Sequence, residues 1–281
     1  MKQNDHPLQE AALFFVITLS LAYFVFWGPL AVFHVPTISF VSNIKGPVWA
    51  IAMFMVNAFG PSIVAIVLTL AREGKAGLGR FLKRVIQFKI GWRWYLAVLV
   101  VVFLPTLGQL LIIRLLGQSF NYMGFITQLA TFLPLIILGP LSEELGWRGY
   151  ALDRLQTRWN ALVSSVAVGI LWALWHLPLF FMVGTSQHEL HIPFIGFMAG
   201  LVALSVLFTW LHNNTGRSIW TAVLFHWLYT YAGQVVASGV TRSVPYNWLE
   251  YSPFFVAALV VTLSWGPTAL RRFPPQEVSN L

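Results

Sequence analysis

Apolar stretches about 20 residues long, nearly free of charge, recur along this whole chain, and each is long enough to cross hydrocarbon as a helix. That pattern leaves few folds open. In lipid every backbone N–H and C=O needs an internal partner, so only helices and closed barrels span a bilayer. A barrel would show roughly ten-residue alternating strands, and the sequence has none. Charged residues make up only 9% of the 281, against about 25% in soluble domains. The chain therefore reads as all-α: a polytopic transmembrane helical bundle forming one integral membrane domain over 1–281.

Eight spans are predicted, at 8–33, 47–71, 93–116, 124–146, 160–182, 192–212, 217–238 and 252–270. The first is too long for a signal-peptide core and is followed by no small-residue cleavage site. Seven basic residues (Arg72, Lys75, Arg80, Lys83, Arg84, Lys89, Arg93) crowd one short connection that holds a single acid, Glu73. With both termini inside, only Lys45, Arg114 and Arg242 of the 17 basic residues fall outside. The positive-inside rule thus predicts an N-in, C-in topology in a cell membrane. It also assigns the net charge of +8 to anionic headgroups rather than to nucleic acid. Pro29, Pro61, Pro105, Pro134, Pro140 and Pro178 lie in or near spans and predict kinks. No internal repeat is visible, which counts against a transporter. With no cysteine in the chain, thiolate catalysis, thiolate metal sites and disulfides are excluded.

The apolar run Thr131–Pro140 leads straight into Leu141-Ser142-Glu143-Glu144-Leu145-Gly146-Trp147-Arg148-Gly149-Tyr150. An ionised group deep in a bilayer costs roughly 2.5–3.5 kcal/mol even on lenient scales, so such residues are paired, functional, or both. Within the predicted spans the ionisable side chains are few: Glu143, Glu144, Arg148, His176 and His226. On a helix Glu144 and Arg148 are four apart and share a face, which suits an ion pair. Glu143 is turned about 100° away, free to face a cavity as a general base. The plain alternative is that both glutamates mark a helix end at the headgroups. Each histidine alone would read as a satisfied core residue, but two on different helices beside a Glu and an Arg on a third suit one water-filled pocket. Trp172 lies one turn before His176, and Thr230 one turn after His226. His188-Glu189-Leu190-His191 falls one residue short of a zinc-helix pattern and reads as a solvated loop. The tryptophans read mostly as interface anchors. The stretch 149–159 reads as a continuation of helix four or an interfacial helix.

Glu143-Glu144-Leu-Gly-Trp-Arg148 resembles the EExxxR motif of the CAAX protease and bacteriocin-processing family, also called CPBP or ABI. Trp172-x-x-x-His176 resembles its second motif, and Arg217-Ser-Ile-Trp…Phe225-His226 its third. The resemblance places a CPBP-like core at about 124–238. It implies an integral membrane protein like the type II CAAX prenyl endopeptidases, with no cofactor. There the motif's first glutamate and the second motif's histidine activate water, while the third motif's histidine and an asparagine four residues on stabilise the oxyanion. Carried over, Glu143 and His176 are the water-activating pair and His226 the oxyanion donor, with Glu144, Arg148, Trp172 and Thr230 in support. Thr230 departs from the pattern: its hydroxyl is shorter than the expected amide and points differently.

A metal held by Glu143, His176 and His226 is the internal rival to this mechanism. The leading expectation is an intramembrane endopeptidase acting on a peptide or a membrane-associated precursor, lipid-modified or not. The alternative is a scaffold or bacteriocin-immunity protein that binds a partner in the same pocket. Counting along the spans puts Glu143, His226 and His176 at different depths. They can meet only if helix four continues beyond residue 146 or the chain bends near Pro178.

Overall fold

The computed structural model describes residues 6–37, 46–121, 123, 126, 137–241 and 248–271. Helices carry the architecture: α1 (Pro7–Val32), α2 (Val48–Ala58), α3 (Gly60–Lys83), α4 (Trp92–Leu115) and α5 (137–155). They continue with α6 (Ala161–His176), α7 (Phe194–Asn214), α8 (Ile219–Gly239) and α9 (Ser252–Trp265). A two-residue antiparallel ladder joins Ser119–Phe120 to Val240–Thr241.

Local sequence sets the helix limits. Pro7 occupies the first turn of α1, where its missing N–H costs nothing. Pro29 would break the ladder further along; a widened turn at Leu21–Val25 absorbs the mismatch, closed by Phe26 N–H on the Leu21 carbonyl. Asn160 and Ser218 cap α6 and α8, accepting from the backbone N–H of Val163 and Thr221. Pro61 opens α3 just after a 52° bend from α2. Pro105 sits within α4, Pro140 within α5, and Pro178 in the tight turn Leu177–Phe181 that follows α6. Pro134 lies outside the described residues.

Among the described residues, α1, α4, α6 with its following turn, and α7 are long and apolar enough to cross a membrane, and the α2–α3 pair, bent by 52°, reaches that length and apolarity only taken together. The eight expected spans are therefore not all seen. Much of 124–136 lies outside the described residues, and α8 carries polar residues that line a cavity. The last apolar helix, Leu249–Trp265, is short. The protein is nonetheless a multi-pass helical membrane protein.

Helix α5 is the axis of the bundle. Every residue from Ser142 to Leu152 is buried, which no helix facing lipid or headgroups would show. Gly146 permits this packing: a Cβ there would lie 2.6 Å from the Pro61 carbonyl oxygen, so α3 and α5 meet backbone to backbone. The helix passes residue 146 and runs on to Leu155, about three turns beyond Glu143, as the meeting of the three polar spans requires.

The far end of α5 is tied down by charge. Asp153 accepts from Arg84 Nη1 at 2.8 Å and from His212 Nε2 at 3.0 Å, with Arg217 at 3.8 Å. Burial alone would push its carboxyl up, yet Arg84, His212 and Arg217 together hold it down at about 2. Arg154 donates to Glu10 at 2.7 Å and to Glu73 at 3.1 Å. These bonds join α5 to α1, α3, α7 and the start of α8.

Several tryptophans are not interface anchors. Trp27, Trp147, Trp172 and Trp175 are all at most 2% exposed, and Trp175 packs at 4.4 Å from Trp27 and 5.8 Å from Trp147, ring to ring. Trp49 and Trp92, at 55% and 70% exposure, do lie on the surface. The cluster is buried because three helices that carry a polar site need bulky, rigid packing around it.

Candidate active site

Glu143 and Glu144 leave α5 in different directions, and their partners differ accordingly. Glu143 Oε2 accepts from the indole N–H of Trp172 at 2.5 Å and of Trp147 at 3.3 Å. An indole can only donate, so both tryptophans hold the carboxylate by charge-assisted bonds. Glu143 Oε1 is left towards Gly139 and the cavity. Glu144, fully buried, accepts from Arg148 Nη1 at 2.9 and 3.1 Å, one bond to each oxygen. The expected ion pair is formed.

Glu144 has a second partner that its spacing does not reveal. His226 Nδ1 lies 2.7 Å from Glu144 Oε1. A carboxylate oxygen accepts, so Nδ1 donates and Nε2 is turned to the cavity. Arg148 is held in turn by Ser205 Oγ at 3.2 Å and lies over the rings of Phe208 (3.6 Å) and Trp172 (4.4 Å). Those faces stabilise a desolvated guanidinium. The result is a continuous chain, Ser205–Arg148–Glu144–His226, running across α7, α5 and α8.

His176 ends α6, with Nδ1 2.9 Å from the Trp172 carbonyl. A carbonyl can only accept, so Nδ1 carries the hydrogen and Nε2 keeps a lone pair. Its ring packs edge-on against Trp175 at 4.7 Å and Phe197 at 5.5 Å. The turn at Pro178 lets α6 stop here rather than carry the histidine away. Trp172 thus serves both residues, its indole on Glu143 and its carbonyl on His176.

All three expected catalytic residues line one cavity of about 480 Å³, together with Trp172 and Thr230. Gly139 marks its narrowest chemistry. Its φ of +86° lies in the region glycine tolerates, and the point where a Cβ would sit is 3.6 Å from Glu143 Oε1 and 3.7 Å from His226 Nε2. Both atoms therefore approach the cavity wall at Gly139. Glu144 and Arg148 stand behind this surface rather than on it. Among the described residues no three His, Asp or Glu side chains converge as a metal-binding group. His188 and Glu189 were expected in a solvated loop; instead they sit half-buried in the short helix Ser186–Glu189 and bond each other at 3.2 Å.

Trp147, Gly139 and Ser205 were not expected in the site. Trp147 stands four residues after Glu143, the same spacing that pairs Glu144 with Arg148, so helical reasoning alone reaches it. Gly139-Pro140 ahead of the glutamates is a local break signal. Ser205 is 57 residues from Arg148, and nothing in its neighbourhood announces the contact.

The bundle thus places a buried carboxylate and two histidines around one cavity of a membrane protein. Residues 125–232 match the family model of Rce1-like type II CAAX prenyl endopeptidases. The chain is also 28% identical over 226 residues to CAAX prenyl protease 2 of Methanococcus maripaludis, covering 75% of this chain and 79% of that one. The protein is thus similar to type II CAAX prenyl endopeptidases over residues 125–232 and to a CAAX prenyl protease over most of its length, as its three motifs imply.

Proposed function

We propose that the protein is an intramembrane endopeptidase in which Glu143 and His176 activate a water and His226 stabilises the oxyanion. The observation that carries this reading is the shared cavity, lined by Glu143, His176 and His226, with Glu143 Oε1 and His226 Nε2 both close to Gly139. Water held by Glu143 and His176 Nε2 gives up a proton and attacks the scissile carbonyl carbon. The carbonyl π pair moves onto oxygen, towards His226. When the tetrahedral intermediate collapses, the C–N bond breaks and the abstracted proton passes to the leaving amine.

For His226 Nε2 to donate to the oxyanion, the ring must hold both protons. Glu144 at Nδ1 is the counter-charge such an imidazolium needs, and Arg148 keeps that carboxylate in place. Two carboxylates, one guanidinium and one imidazolium then balance in a site with little water, where preorganised donors act most strongly. Thr230 adds one hydroxyl where the resembling enzymes have an amide. The chemistry is metal-independent in this reading. The substrate is a peptide or protein segment, and a prenylated C-terminal peptide is the first probe to use, because the curated relative is a CAAX prenyl protease.

The test is cleavage of quenched-fluorescence peptides, with and without a C-terminal prenyl group, by protein reconstituted in lipid nanodiscs. Wild type should cleave, and Glu143→Ala, His176→Ala and His226→Ala should each lose activity while still inserting. Unchanged cleavage by all three would sink the mechanism. A partner bound equally by wild type and Glu143→Ala, without cleavage, would favour a scaffold.

A further inference from the structure

Beyond His226, helix α8 carries a second pattern that the catalytic reading does not use. His226, Thr230, Gln234 and Ser238 recur at every fourth residue, and all four line the same cavity. On an α-helix that spacing makes one inclined row, winding about 40° per step. Beside it Gly233 and Ala237 also line the cavity, and a Cβ on Gly233 would meet nothing within 4 Å. The row is therefore the edge of an open trough with a floor of small residues. Gln187, on the short helix Ser186–Glu189 that Thr185 caps, also lines the cavity. Beyond the histidines, the polar groups along this trough are amides and hydroxyls, which donate and accept but carry no charge; the rest of the lining is apolar, including Leu190, Ile192, Phe197 and Leu201.

We propose that this row is the substrate track, and that Gln234 is a positioning residue that hydrogen-bonds the peptide main chain away from the cleaved bond. This deepens the endopeptidase reading and rests on it. Helical rise puts Gln234 about 12 Å along α8 from His226, and Ser238 about 18 Å. An extended peptide advances about 3.3 Å per residue, so Gln234 meets the main chain three or four residues from the scissile carbonyl. The track ends about five residues away. Side chains on helices lean towards the N-terminus, which turns the Gln234 amide back along the trough towards Thr230. The substrate class follows: an unfolded segment that stays extended for at least four residues on one side of the cleaved bond. Those residues are uncharged, because an ionised side chain there would lose water for neutral partners.

The experiment measures binding, so it does not depend on turnover. Fluorescein-labelled peptides, lengthened one residue at a time on either side of the cleaved bond, are titrated into nanodisc-held Glu143→Gln protein with and without Gln234→Ala. One lost hydrogen bond should weaken binding about five- to tenfold, only for peptides extending at least three residues on the track side. Placing Lys or Asp at that position should reproduce the loss. Gly233→Val, which fills the floor without touching Gln234, should weaken the same long peptides. An affinity that responds to peptide length identically with and without Gln234 overturns the track. Because Kd is read in the Glu143→Gln background, residual cleavage by that variant would refute the glutamate mechanism and leave this comparison standing.

Discussion

One helix, α5, carries two clusters of charge less than three turns apart, one buried and one half-buried, and they are built to opposite ends. At its far end Asp153 and Arg154 are saturated by partners from four other elements: Arg84, His212, Arg217, Glu10 and Glu73. Every contact there closes a tie between helices. In the middle Glu143 is held by donors on one oxygen only, and His176 and His226 each have one ring nitrogen committed and the other turned to the cavity. The first cluster fixes where α5 sits. The second leaves capacity unspent at defined points, and that unspent capacity is what chemistry needs.

The contrast can be broken from either side. Beyond the Glu143 variant, the largest effect should come from Glu144→Gln, which leaves Arg148 buried without its counter-charge and His226 without its anchor. Breaking a buried pair costs about 3–5 kcal/mol, so both thermal stability in detergent and cleavage should fall, and cleavage should fall further. A variant that loses stability alone would assign Glu144 to the structural cluster. Next is Thr230→Val, expected to lower kcat by about 10²-fold if the hydroxyl supports the oxyanion, with melting temperature nearly unchanged. Equal kcat would remove Thr230 from the site.

Asp153→Asn should show the reverse signature: lower stability, with the activity of the surviving folded protein close to wild type. Its pH dependence has a definite sign. The folded carboxyl is held at about 2, below its ordinary value of 3.8, so the stabilisation is fully present above about pH 4 and is lost as pH falls towards 2. The difference in melting temperature between wild type and Asp153→Asn should therefore shrink as pH is lowered through that window. A constant difference would mean that packing, not charge, makes the tie. The smallest effect expected is none: extended dialysis against a chelator should leave cleavage unchanged, and loss restored by zinc would revive the metal reading of Glu143, His176 and His226.

Much of this site was legible in the chain. The cost of charge in lipid singled out Glu143, Glu144, Arg148, His176 and His226, and the four-residue spacing of Glu144 and Arg148 gave their ion pair. The requirement that three polar spans share a depth also implied that α5 runs past residue 146. Other parts had no local trace. The bond from His226 to Glu144 joins residues 82 apart, and Ser205 reaches Arg148 from another helix. Trp172 and Trp147 turn inward to hold a carboxylate, where composition alone would have set them at the lipid interface. Asp153 looks like an ordinary helix-end acid until Arg84 and His212 are brought to it.

The sequence by itself determined that this chain crosses a membrane as helices and which few side chains resist that environment. Both follow from the transfer cost of charge and the helical period, which act residue by residue. Only the tertiary structure decided which glutamate faces the cavity, which nitrogen of each histidine is free, and which charged pairs are ties rather than tools. Those depend on directions between helices, and directions between helices are set by packing across the whole bundle.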